Sequence, residues 1–371
     1  MWVAAWALLL FQADPSAEGI KALESKDYPA AITAFEKAIA RDAQDWAAHF
    51  HLALAHSLTN NPAKAIAHYE TCLQLKPDLY EAQMNLAVLY LESSQQARAI
   101  ALLKKAVETK PKEFRPAFLL AEAFLRARQL DDAEKQLALL RDLDPKAEEL
   151  RSSLLRLASL YEDAKQFEKA VALYLQFPDD AGAQERAGEL LLELGRPEQA
   201  ISHLEAAVRQ SPTGANRYAL AIAYLRAGQT AKAAATMDAA VAADTNNPEL
   251  RIAYGGLLRD QRNFQAAAQQ FWAATKLKPD SREAWSGLAT MLLSLENYPQ
   301  ALAAFDKLEA LGDTNPGLHF LRALALDKTK QYKPALAAYQ KFLELSHNKY
   351  PDEEFKARQR VKVIEKELSR R

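Results

Sequence analysis

A small residue returns at nearly constant spacing along the chain. It stands at Gly19, Ala53, Ala87, Ala121, Ala158, Gly188, Ala221, Gly255, Ala289 and Ala323, with steps of 34, 34, 34, 37, 30, 33, 34, 34 and 34 residues. Twelve positions after each comes an alanine: Ala31, Ala65, Ala99, Ala133, Ala170, Ala200, Ala233, Ala267, Ala301 and Ala335. Four further on comes a large apolar side chain, as in Phe35, Tyr69, Leu103, Leu137, Tyr174, Leu204, Met237, Phe271, Phe305 and Tyr339. Three series in one register exclude a single globular core. A period of this length means tandem supersecondary units, none of which can bury its apolar faces alone.

The stretch from Tyr80 to Pro111 shows what one unit is. Its first half places Leu86, Ala87 and Tyr90 on one face, and its second half places Ala99, Ile100, Leu103, Ala106 and Val107 on another. Those are the spacings of two amphipathic helices. The small residues Ala87 and Ala99 are expected to face each other where the helices cross, since a large side chain would overpack the crossing. Pro77, Pro111 and Pro145 are 34 apart, with Pro279 in phase. Each stops a helix, because proline has no N–H and disfavours helical geometry in the residue before it. Alanine and leucine dominate the composition, which favours helix.

This pattern resembles the tetratricopeptide repeat, whose signature runs W-x2-L-G-x2-Y, A-x3-F, A and P. Trp285, Leu288, Ala289, Leu292, Ala301 and Phe305 fill it in one unit. Leu86, Ala87, Tyr90, Ala99, Leu103, Ala106 and Pro111 fill it in another. The resemblance implies an all-α, right-handed α-solenoid of about ten tandem helix-turn-helix repeats, ended by a C-terminal capping helix. The fifth unit departs from the pattern: three extra residues precede it, and only eight separate Ala170 from Pro178. A break there divides a front array, residues 12–179, from a back array, residues 180–349. Residues 350–371 form the final helix, with Phe355, Val361, Ile364 and Leu368 as its apolar stripe. Its many lysines and arginines read as a solubilising cap or as a basic handle for an acidic partner.

Residues 1–11 form a separate apolar segment. Trp2 to Phe11 carry no charge and are too short to span a bilayer, which takes about 20 apolar residues. The length fits the core of a secretory signal. No Lys or Arg precedes it, however, and neither Ala13 nor Ala17 completes a clean cleavage site. Two readings stand: an exported or periplasmic protein, or a cytoplasmic one whose first repeat is capped by this segment. Any membrane association would run through this segment left uncleaved.

The sequence points away from chemistry. Net charge is -1, with 47 basic and 48 acidic residues, so no basic excess marks a nucleic-acid groove. The single cysteine, Cys72, excludes an intramolecular disulfide and a CxxC motif. It sits in register with Ala38 and Ala106, a packing position. His49, His51 and His56 lack the i, i+3 or i+4 spacing of a metal site, and His49 and His56 fall on packing positions. No phosphate loop, nucleophile elbow or HExxH helix is present. The reading is a chain that is not an enzyme, with no cofactor, no metal and no small-molecule substrate.

The resemblance implies that first helices line a concave groove for other proteins. Carried over by register, the groove positions are Phe50, His51 and Leu54, then Met84, Asn85 and Val88, then Phe118, Leu119 and Glu122. Further along come the mixed charges Arg156, Glu162, Asp163, Glu185, Arg186 and Glu189. Ser16, Ile20, His51, Glu81 and Asn85 stand where one subset of the family places a carboxylate clamp, and only Asn85 fits an asparagine ladder. The functional expectation is a protein-interaction scaffold that docks a peptide, helix or domain. The alternatives are a recruiting or regulatory subunit of a separate enzyme, and a part of a secretion, pilus or outer-membrane assembly machine.

Overall fold

A computed structural model describes residues 14–370, so the apolar segment 1–11 lies outside the described residues. The described chain is a succession of α-helices with no strand among the described residues. It divides into two compact units, Met1–Tyr174 and Leu175–Arg371. The first holds α1 (Pro15–Glu24), α2 (Tyr28–Arg41), α3 (Trp46–Leu58), α4 (Pro62–Leu75) and α5 (Tyr80–Glu92). It continues with α6 (Gln96–Thr109), α7 (Phe114–Arg126), α8 (Leu130–Leu143), α9 (Glu148–Asp163) and α10 (Phe167–Tyr174). Consecutive helices pair as hairpins. First helices also touch across repeats, α1 on α3, α5 on α7 and α7 on α9. This is the stacking that a repeat solenoid requires.

Local chemistry sets the helix starts and the turns. Asp14, Asp27 and Asp45 accept backbone N–H bonds at the starts of α1, α2 and α3, and Pro62 opens α4. Every hairpin turn holds one residue in the left-handed region: Lys26, Asn60, Ser94, Arg128 and Lys165 in this unit. The next residue then donates back to the first helix, as Gln95 N–H does to the Tyr90 carbonyl at 2.7 Å. The last carbonyls of each first helix are satisfied this way. The three extra residues before the fifth repeat lengthen a helix rather than a loop. Its first helix α9 has 16 residues against 13 in α7, and its second, α10, has only 8.

The second unit comprises α11 (Ala181–Glu193), α12 (Pro197–Gln210), α13 (Gly214–Arg226), α14 (Thr230–Ala243), α15 (Pro248–Asp260) and α16 (Phe264–Leu277). It ends with α17 (Arg282–Ser294), α18 (Tyr298–Ala310), α19 (Pro316–Lys328), α20 (Tyr332–Ser346) and α21 (Pro351–Ser369). Glycine here and in the first repeat shows what the small-residue series is for. A Cβ on Gly19 would lie 2.6 Å from the Phe35 ring, on Gly188 2.4 Å from Leu204, and on Gly255 3.0 Å from Phe271. The close neighbour of the small residue is thus the large side chain sixteen positions on. The big side chain of the second helix lies on the bare backbone of the first, which lets the two helices nest.

Neighbouring repeats are stitched by a recurring polar set. Tyr90 donates to Glu70 at 2.7 Å, and Arg98 both bonds Glu70 at 2.6 Å and lies over the Tyr90 ring. Tyr161 donates to Glu134 at 2.7 Å, with Lys169 over its ring. In the second unit Tyr224 donates to Glu205 at 2.6 Å, with Lys232 over its ring. Each tyrosine ties a first helix to the second helix of the preceding repeat, and in the first two sets the cation also pairs with the carboxylate. In α21, Ala357 and Ile364 are fully buried, and Val361 and Leu368 pack beside them. Phe355 is a correction: it is 63% exposed. The buried stripe runs through 354, 357, 361, 364 and 368, and Phe355 lies about 100° away from Glu354 around the helix. Arg360 of α21 grips Asp327 through two bonds of 2.5 and 2.8 Å, so part of the basic tail is spent holding the cap.

Candidate partner-binding face

The groove positions of the first unit are assembled by rings. On α3, Phe50 and His51 are adjacent and Leu54 follows one turn later, and all three are half-buried. His51 stacks on Phe35 of α2 at 5.4 Å between centroids. Phe50 meets His51 edge-on at 5.3 Å and Tyr69 of α4 at 5.7 Å. Edge-to-face contacts at these distances hold rings in fixed orientation. Asn85 of α5 closes the series by donating to the Tyr69 hydroxyl at 3.0 Å. Burial pushes the Tyr69 hydroxyl pKa up, so it stays protonated. Three successive repeats therefore share one network.

The other positions fall into place unevenly. Val88 and Leu119 are half-buried. Met84 is only 7% exposed, so it belongs to the core of its repeat and not to the open face. Phe118 is half-buried and stacks on Phe114 of its own helix at 5.8 Å. Glu122 is held by the Ser153 hydroxyl at 2.9 Å and by Arg156 at 2.8 Å, both on α9. Its carboxylate is satisfied within the protein, which makes it a bracket between repeats. The ends of the two mixed-charge runs are likewise partnered: Asp163 pairs with Arg128 at 3.3 Å, and Arg186 with Glu189. What the face leaves open is apolar edge; the His51 Nδ1 is buried and has no hydrogen-bond partner among the described residues.

Beneath this face lies a group of imidazoles that sequence spacing does not reveal. His49 and His68 meet through their Nδ1 atoms at 3.1 Å, and His56 stacks on His68 at 5.9 Å. His49 Nε2 lies 3.3 Å from the Ala43 carbonyl, which can only accept. Nε2 therefore carries the proton, Nδ1 of His49 accepts, and Nδ1 of His68 donates. The pair recurs in other hairpins at the same separation of 19 residues. His203 meets Gln184 at 2.9 Å, and Arg251 meets Gln270 at 3.3 Å. Comparing repeats at that offset would have found it. Among the described residues no group of three or more side chains could hold a metal ion. Cys72 is fully buried, and burial pushes its thiol up to about 11, so it is protonated and a poor nucleophile at neutral pH.

This cluster sets a pH dependence. Burial lowers the pKa of His56 and of His68, with Lys64 lowering both further and Glu36 opposing; His68 is also lowered by His49 and His56. The unfolded chain titrates at about 6.5. Between that value and the lower folded values the unfolded state binds more protons, so stability rises with pH there. Acidification through pH 6.5 is expected to lower the denaturant midpoint of the first unit. A His68→Gln variant should show a flatter midpoint between pH 7 and 5.5, and an unchanged slope would refute the cluster's role.

Comparison with known proteins bears on the repeat unit. Profiles described as tetratricopeptide repeat match residues 16–80, 59–114, 155–215 and 255–317, others 91–154 and 191–257, and another 316–348. One relative is the type IV pilus assembly protein PilF of Pseudomonas aeruginosa, 28% identical over 156 residues, 41% of this chain and 62% of that protein. Another is superkiller complex protein 3 of Mus musculus, 28% identical over 130 residues, 34% of this chain and 8% of that protein. The chain thus spans less than two thirds of either relative. Among solved structures, the C-terminal part of a TPR repeat-containing protein from Cytophaga hutchinsonii is 19% identical and covers 55% of this chain and 84% of its own, with TM-score 0.49. Yeast Tom70 is 14% identical and covers 96% of each chain, with TM-score 0.40.

Proposed function

The chain belongs to the tetratricopeptide repeat family, and from that premise we propose that it is a non-enzymatic scaffold that docks a partner protein on the first-helix face of its first unit. The observation that carries this reading is the ring network of Phe35, His51, Phe50 and Tyr69 with Asn85, which leaves Phe50, His51 and Leu54 half-buried. Rigid aromatic side chains with one edge open bind at small entropic cost and dominate interface energies. An apolar helix or extended peptide fits such a face. The Phe50→Ala, Phe118→Ala double variant is expected to weaken a cognate partner by about 2 kcal/mol or more, roughly 30-fold. Partners recovered with wild type serve as the assay, and circular dichroism confirms that the variant is folded. Undiminished binding by a folded variant would sink the proposal.

A second reading has its own support. The likeness to a protein named for type IV pilus assembly favours a recruiting subunit in a cell-envelope machine. Export would then remove the segment Trp2–Phe11. Terminal sequencing of protein purified from its native host is expected to find the segment Trp2–Phe11 removed. An intact Met1 would rule out a cleaved signal.

A further inference from the structure

The second unit carries an indole at a register position that is acidic in five other repeats. Trp272 follows the large apolar residue Phe271, and the same register holds Glu36, Glu70, Glu205, Asp238 and Asp306 in other repeats. Trp272 is 54% exposed on α16. It flanks a groove of about 610 Å³ between α16 and α18, floored by Trp285, Leu288 and Leu292 of α17. The Trp285 indole N–H is bonded to the Pro279 carbonyl at 2.9 Å, which fixes its ring. The groove exists because Ala268 stands where Ile32, Ile66, Ile100 and Ile201 stand in other repeats. Ala303 and Ala304 keep the opposite wall low.

The charge of this groove has one sign. Its lining holds Lys307 and no carboxylate. Lys276 lies 5.1 Å from the centre of the Trp272 ring. Both lysines fall in the last turns of their helices, α16 and α18, and neither has an ion-pair partner among the described residues. The remaining polar walls, Gln265, Gln269 and Gln300, are neutral amides.

We propose that the groove between α16 and α18 is a second docking site, which takes an acidic segment of a partner protein carrying an apolar or aromatic anchor. The anchor seats between Trp272 and Trp285, and carboxylates of the segment pair with Lys276 and Lys307. A tryptophan at an apolar recess is among the side chains most often found to dominate binding. The two lysines select the sign of the partner and make binding sensitive to salt. The site is walled by the second helices α16 and α18 over the first helix α17, and it does not depend on the first-helix face of the other unit.

The test is a selection of random twelve-residue peptides displayed on phage, made against the full-length protein. Clones that also bind a Trp272→Ala variant are discarded. Because Trp272 is exposed, that variant should keep the wild-type melting curve. The surviving peptides are expected to be acidic with an aromatic or aliphatic core. Their affinity should fall at least tenfold for a Lys276→Glu, Lys307→Glu variant, and fall with added salt. It should be unchanged by Phe50→Ala, Phe118→Ala. No Trp272-dependent peptide, neutral or basic survivors, or full binding by the lysine variant would overturn the proposal.

Discussion

Gly188→Leu is expected to destabilise the hairpin of α11 and α12 by about 3 kcal/mol, at the upper end of what overpacking usually costs. A Cβ at Gly188 would stand 2.4 Å from Leu204 Cγ, and three further carbons would enter the same space. Leu204 is itself fully buried and cannot swing out to solvent. The two helices would have to separate, which uncovers the seam to α13. Gly188→Ala tests the balance more finely. Alanine occupies this register at Ala53 and Ala87, and a helix gains about 1 kcal/mol when alanine replaces glycine. The one added carbon still crowds Leu204, so the net effect should be small beside that of leucine. Urea unfolding followed by circular dichroism, with hydrogen exchange on α11 and α12, measures both. Equal midpoints for wild type and Gly188→Leu would show that the hairpin opens freely and that close nesting is not what holds it.

Tyr69→Ala should cost about 3–5 kcal/mol, the range for deleting a large buried ring. Tyr69 is fully buried on α4, carries the edge contact with Phe50 and accepts the Asn85 bond. Its loss leaves a cavity and an unpaired amide at once. Tyr69→Phe separates the two effects: the ring stays, and the hydroxyl's bonds to Asn85 and Ser57 go, at about 1–2 kcal/mol. Because repeats contact only their neighbours, the damage should concentrate in α3 to α5. Hydrogen exchange that accelerates uniformly through the second unit as well would contradict that locality. A partner-binding assay on Tyr69→Phe then asks whether the orientation of Phe50 or its mere presence matters to docking.

The hairpin turns show where sequence reading stops. Gly195 and Gly228 announce a left-handed residue, and the structure has one at both. Lys26, Ser94, Arg128, Lys165, Arg262, Glu296 and Lys330 adopt the same conformation without any such signal. The carbonyls that the turn satisfies belong to the helix before it, so the demand is set by the hairpin and not by the residue's own preference. The same holds for Phe355. Its apolarity suggests a buried stripe, yet the face that α21 presents to α20 is set by Ala357 and Ile364.

The series of small residues, alanines and large apolar side chains determined the helices, their pairing and the repeat length. Those follow from local propensity and from burial at fixed periods, and both are written residue by residue. Only the tertiary structure decided which side chains meet. It placed Phe35 on Gly19, joined His49 to His68 across a hairpin, drew Glu122 into a bracket, buried Met84 and left Trp272 in the open. The physical reason is that a period states which face a residue is on. The distance between two faces depends on how closely the helices nest, and that is settled by the volumes of all the side chains between them.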